Sequence, residues 1–170
     1  MKKSTNKDNR STATDIFFIL LSIMLVICFL YFLVIVSFQG GDGSAMLTGK
    51  LAGRLAEVVF SQTPTEEQVA TVNYLIRYGA HLFLFFILGY AVCYVSLLVF
   101  RHYFRVIGIL VSVGVVYLFS YYTEYYKQFI DGRHFQMTDV KLNWIGGICG
   151  IIFMLCSYFL HKLLFRISET

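Results

Sequence analysis

Six side chains able to hold charge or move protons fall in two short stretches of a largely apolar chain. Arg77 and His81 stand four residues apart, so on a helix they share one face, and Asp139 and Asn143 repeat that spacing further on. Between the two pairs come Glu124 and the segment Lys127-Gln128-Phe129-Ile130-Asp131-Gly132-Arg133. The guanidinium groups of Arg77 and Arg133 suit a grip on phosphate or carboxylate. Glu124 and Asp139 would orient those arginines or accept hydroxyl and amide protons. Glu124 or His81, at the edge of a low-dielectric region, suits general acid or base work. Gly132 permits the left-handed or tight turn that sends the chain back.

Each residue also has a plain structural role open to it. Arg77 and Lys141 can anchor helix ends by snorkelling. His81 can be an interfacial histidine satisfied by one carbonyl. Glu124 and Arg133 can form a loop salt bridge, worth about 1 kcal/mol or less if exposed. Asp139 can be an ordinary N-cap. What favours a site is coincidence, since three helices bring acid, base and amide groups to one membrane depth, where ionisable groups are costly and usually pair or serve a pathway.

The elements that must position these groups are membrane spans. Of 170 residues, 58% are hydrophobic and only 14% charged, and mean hydropathy is +0.69, against roughly 25% charge in soluble domains. A span needs about 20 apolar residues. Uncharged runs begin at Ile16, Leu82, Val106 and Trp144. They predict an all-α integral membrane protein with four transmembrane helices, at about 16–38, 79–100, 105–122 and 143–165, in a single membrane domain over 15–166. The polar segment 1–14 reads as an unstructured cytoplasmic tail and 167–170 as a cytoplasmic end. The first run is too long for a signal-peptide core and no A-x-A-like site follows it.

Lys and Arg placement sets the expected orientation. Lys2, Lys3, Lys7, Arg10, Arg101, Arg105, Lys162 and Arg166 cluster on one side. The other side has Lys50, Arg54, Arg77, Lys127, Arg133 and Lys141, diluted by Asp42, Glu57, Glu66, Glu67, Glu124, Asp131 and Asp139. Both termini are therefore expected in the cytoplasm, and the net charge of +4 reads as topology rather than as a nucleic-acid surface. In the outer loop 39–78, Gly40, Gly41 and Gly43 release the chain. Ser44 then caps a surface helix with Met46, Leu47, Leu51, Leu55, Val58 and Val59 on its apolar face. Thr63-Pro64-Thr65-Glu66 reads as a capping box with proline at the first helical position, opening a helix that runs into the second span.

The remaining motifs point away from cofactors. Cys28, Cys93, Cys149 and Cys156 lie inside spans without a C-x-x-C and read as packing residues. His81, His102, His134 and His161 fall on opposite sides of the membrane, which disfavours a histidine metal cage. Gly146 and Gly150, with Gly147 beside them, form a G-x-x-x-G that lets a helix approach closely, within the monomer or at a dimer interface. Tyr117, Tyr121, Tyr122, Tyr125 and Tyr126 read as an interfacial aromatic belt, or as a sugar- or headgroup-stacking surface. Phosphate-binding glycine loops and H-E-x-x-H are absent.

The pattern Arg77-x3-His81 leading into Leu88-Gly89, then Glu124-x4-Phe129-x2-Gly132-Arg133-x5-Asp139-Val140-x2-Asn143-x2-Gly146-x3-Gly150, resembles the VanZ-like family of small bacterial membrane proteins. The likeness covers roughly residues 76 to 152. The chain departs from the pattern at Leu84-Phe85, where Glu-Tyr is frequent, at Thr123, where an acid is frequent, and at Lys127, where Gln is usual. The resemblance implies a multi-pass protein of the bacterial cytoplasmic membrane, without a cofactor, associated with lowered susceptibility to glycopeptides such as teicoplanin. Residues and resemblance together lead to three readings. The first is an envelope protein that binds or handles an anionic amphiphile, a lipid-linked cell-wall precursor or the antibiotic itself. The second is an enzyme using Glu124 or His81 on a lipid-linked substrate, and the third a structural accessory subunit. Membrane lipid is the expected partner, nucleic acid is not, and Gly146 and Gly150 offer a route to an oligomer.

Overall fold

The structure, a computed structural model, describes residues 3–38, 41–60, 63–100, 105–130 and 132–168. Among the residues discussed above, Lys2, Gly40, Arg101, His102 and Asp131 lie outside the described residues, as do the side chains of Lys3, Lys7, Arg10, Asp42, Ser44, Met46, Leu47 and Arg166. Five helices follow in order: α1 (Lys3–Phe38), α2 (Gly41–Phe60), α3 (Glu66–Val99), α4 (Arg105–Lys127) and α5 (Met137–Ser168). Four of them, α1, α3, α4 and α5, are long and apolar enough to cross a membrane, as the apolar runs predict. No strand occurs among the described residues.

The boundaries of the first four helices each differ from the sequence expectation. The segment read as an unstructured tail is helical from Lys3 and continuous with the first span, because adding a turn to a formed helix avoids the cost of a new nucleus. Helix α2 starts at Gly41, so Ser44 sits inside its first turn instead of capping it. The cap of α3 is Thr65, two residues later than Thr63, with Thr65 Oγ1 accepting from the Gln68 amide and Gln68 Oε1 from the Thr65 amide. Pro64 therefore precedes the cap. Helix α4 continues past the apolar run to Lys127, which carries Glu124 into the helix rather than beyond it.

Helix α3 is the hub, packing most extensively on α5 and also on α4, α2 and α1. The α3–α5 contact is set by glycine. A Cβ at Gly146 or Gly150 would run into the backbone of Leu82 or Phe86, and one at Gly89 would meet the backbone of Gly147. Removing the side chains lets the two backbones approach closely, which is how helices associate where lipid offers no hydrophobic drive. These glycines thus serve packing within the monomer. Helix α4 presents a stripe of small residues inward, Gly108, Ser112, Val116 and Ser120. The Ser112 and Ser120 hydroxyls donate to the Gly108 and Val116 carbonyls at 2.7 Å, so neither is left unpaired in an apolar interior.

The interior combines two apolar clusters, around Leu33, Phe85, Leu88 and Val92 and around Cys93, Val116, Ile151 and Met154, with buried polar groups, and the outside is apolar. Ser96, Ser112, Ser120, Thr123, Glu124, Lys127, Asp139 and Asn143 are buried, while leucine, isoleucine and phenylalanine side chains of all four spans face outward. In lipid that arrangement costs nothing, since the solvent is as apolar as the side chains. Helix α1 is the least embedded span, touching α3 and, more thinly, α4. Helix α2 docks on α3 through Ala52 and Ala56, both fully buried, and turns Leu51, Leu55, Val58 and Val59 outward. That is the face expected to lie on the membrane surface.

Candidate functional site

Two cross-helix contacts fix the site. Arg77 on α3 donates to Asp139 Oδ2 on α5 at 3.0 Å. One turn further along both helices, His81 Nδ1 meets Asn143 Oδ1 at 2.9 Å. Both pairs are 62 residues apart, so α3 and α5 run parallel in matched register, and the i, i+4 spacing on each helix becomes a ladder between them. Asp139 is thus in the first turn of α5, and buried against Arg77, rather than at its N-cap. Lys141 is exposed and stays out of the cluster.

Helix α4 closes the third side. Glu124 is 1% exposed and pairs with Lys127, one turn along the same helix and itself 3% exposed. The salt bridge between Glu124 and Arg133 allowed by the sequence does not form. Arg133 instead donates to the Ser37 carbonyl at 2.8 Å, satisfying one of the acceptors left open at the end of α1. Gly132, at φ +74°, makes the turn that allows this. Burial pulls the Arg133 guanidinium below its ordinary value; the like charge of Arg77 adds to this, and Glu124 and Asp139 oppose it. Arg133 therefore belongs to the same electrostatic neighbourhood, though it touches none of the other five.

All six sequence-chosen residues converge on one mouth of the bundle, five in or beside the cluster and Arg133 at its edge. The sequence shows Lys127 as a basic residue of the outer side and as a departure from the family pattern, but not as a member of the site. Its separation of three residues from Glu124 would have placed it on the same helix face, and it is the group that neutralises Glu124. The tyrosines line the outside of this end, with Tyr121 stacked on Tyr125 and Tyr122 on Tyr126.

Within the cluster the hydrogen bonding leaves two groups open. Glu124 Oε2 and Asn143 Nδ2 are buried without a partner among the described residues, one an acceptor and the other a donor. An unmet buried polar atom is expensive; the first of these can accept from a hydroxyl and the second can donate to one. Because Asn143 Oδ1 can only accept, Nδ1 of His81 carries the proton, and in the neutral ring Nε2 is a free base.

His81, Glu124 and Asp139 each offer a ligand atom within 4.8 Å of the others, so distance alone would admit a cation. The charges argue otherwise. Lys127 already sits on Glu124 and Arg77 on Asp139, and Arg133 adds a third positive charge nearby. A divalent ion would have to displace two cations and face all three. The donor set suits proton transfer and an anion better than a metal.

A family profile described as VanZ/LLP1 matches residues 18–161, a range that takes in all four spans and every residue of the cluster. No curated protein and no solved structure matches the chain.

Proposed function

The chain belongs to the VanZ/LLP1 family, and on that premise we propose that it is a cell-envelope membrane enzyme acting on a lipid-linked substrate, with Glu124 and His81 as its acid–base pair. The observation that carries this reading is the buried, unpartnered Glu124 Oε2 inside a cluster where His81 and Asp139 lie within 4.8 Å. A carboxylate oxygen with no structural employment beside an imidazole of fixed tautomer is what general acid–base chemistry requires. We place the site at the outer face of a bacterial cytoplasmic membrane, with lowered glycopeptide susceptibility as its cellular consequence.

The residues divide the work as follows. A hydroxyl, from water or from an alcohol borne by the substrate, donates to Glu124 Oε2 and accepts from Asn143 Nδ2. As its oxygen bonds to a phosphoryl or acyl centre, its proton passes to Glu124. The bond to the leaving oxygen breaks, and that oxygen takes up the proton from Glu124 by way of Nε2 of the neutral His81. Glu124 and His81 are thereby returned to the protonation states they started in, which closes the cycle. Lys127 balances the Glu124 charge, Arg77 positions Asp139, and Arg133 holds negative charge on the substrate.

A second reading, binding of an anionic amphiphile without reaction, is favoured by one feature. Three cations, Arg77, Lys127 and Arg133, face two carboxylates, Glu124 and Asp139. One experiment separates the two. Variants are expressed in a teicoplanin-sensitive bacterium, their membrane amounts equalised, and susceptibility and the extracted lipids compared, the latter by mass spectrometry. Under catalysis, Glu124→Gln should remove the susceptibility change and any altered lipid together, while Arg133→Ala keeps part of both. Under binding alone, Arg133→Ala or Arg77→Ala abolishes the change and Glu124→Gln keeps part of it. If every variant matches wild type, the cluster only locks the helices and both readings fall.

A further inference from the structure

A groove of about 410 Å³ lies between α1 and α4, lined by Val34, Phe119, Tyr122, Thr123 and Tyr126. Its lining is apolar in effect, because the Thr123 hydroxyl is already committed to the Phe119 and Ser120 carbonyls at 2.8 and 3.2 Å. The groove sits where the bundle is thinnest, since α1 and α4 have the sparsest helix contact. It also abuts the cluster. Thr123 precedes Glu124 in sequence, and Val34 is one turn before Ser37, whose carbonyl receives Arg133. An apolar trough open to the bilayer therefore ends beneath a guanidinium that spends one N–H on Ser37 and has others to offer.

Resting on the reading of the cluster as a site for a lipid-linked substrate, we propose that this groove seats one hydrocarbon chain of an anionic phospholipid, which reaches Glu124 sideways from the membrane with Arg133 at its phosphate. Charge complementarity supports the choice of headgroup, because the cations around the cluster outnumber its carboxylates. The lining supports the choice of chain, because Val34, Phe119 and the faces of the Tyr122 and Tyr126 rings make an apolar wall with the Thr123 hydroxyl already bonded within its own helix.

The test uses full-length protein in nanodiscs of phosphatidylcholine doped with a phosphatidic acid probe bearing a diazirine in its acyl chain. A phosphatidylcholine carrying the same photoreactive chain is the control, and crosslinked peptides are mapped by mass spectrometry. The anionic probe should label the α1 and α4 groove segments about tenfold more than the zwitterionic one. Val34→Trp, which fills the trough, should lower that labelling about tenfold. Arg133→Ala should erase the preference between probes yet leave chain labelling in place. Equal labelling by both probes in the wild type, labelling spread evenly round the bundle, or a Val34→Trp groove labelled as before would each overturn the proposal. If labelling holds while Glu124→Gln keeps full effect in cells, the enzyme reading fails and the lipid seat stands; if labelling fails while Glu124→Gln is inactive, the reverse follows.

Discussion

A buried ion pair such as Glu124–Lys127 is weak evidence of stability, because taking two charges out of water offsets much of their attraction. Removing one partner is another matter. Lys127→Met leaves Glu124 buried without its cation and should lower the unfolding free energy by about 3–5 kcal/mol. Glu124→Leu combined with Lys127→Met should restore near wild-type unfolding, measured by thermal denaturation of detergent-purified protein, while leaving the protein inactive. A double variant as unstable as the single one would show that the pair is needed for the fold. At this scale the sequence was informative about types and spacing. Arg77 with His81, and Asp139 with Asn143, could be read as shared helix faces, and the structure makes each face the partner of the other. Two assignments were not legible. Arg133 goes to the Ser37 carbonyl, a backbone acceptor that carries no side-chain signal. Lys127 enters the sequence reading only as an outer-side basic residue and a departure from the family pattern, because the apolar run of α4 stops short of it, whereas the helix does not.

Helices α3 and α5 are held by close approach of their backbones, so the informative variants of that contact are glycines. Gly150→Leu puts a side chain into the Phe86 and Tyr90 backbone of α3 and should prevent recovery of monodisperse protein by size exclusion. Gly114 lies in the interior of α4 with nothing within 4 Å of a Cβ. Gly114→Ala should therefore be tolerated and raise stability by about 0.5–1 kcal/mol through helix propensity alone. If both substitutions behave alike, the α3–α5 approach is not what holds the bundle. Thr65→Ala, which loses the α3 capping box, should cost about 1 kcal/mol in the same unfolding assay. The sequence located this helix start but not its register. Thr63 and Thr65 each precede a Glu or Gln by three residues, and local pattern cannot choose between two such frames. The G-x-x-x-G of α5 was legible as a close-approach motif, yet its partner was not, because Leu82 and Phe86 contribute backbone rather than any distinctive side chain.

Over the whole molecule, the ends of the helices decide where the site can work. The C-terminal ends of α1 and α4 and the N-terminal ends of α3 and α5 meet at the cluster. The N-terminus of α1 and the C-terminus of α5 therefore lie at the opposite face. There Arg105 stacks over the Tyr158 ring at 5.4 Å, tying the start of α4 to the far end of α5. Basic residues concentrate at that second face, which is the cytoplasmic one if the positive-inside bias holds. Composition foretold the spans, since nothing else accommodates so few charges, but inside from outside rests on that bias alone. Single cysteines at Thr5→Cys and His134→Cys, in a chain whose Cys28, Cys93, Cys149 and Cys156 are replaced, test it directly. A membrane-impermeant thiol reagent applied to intact cells should modify position 134 and spare position 5 until the cells are broken. The opposite pattern would turn the molecule over and put Glu124 and its open oxygen on the cytoplasmic face. The acid–base chemistry would survive that result, but its substrate would have to come from the inner leaflet, and a direct encounter with an external glycopeptide would be ruled out.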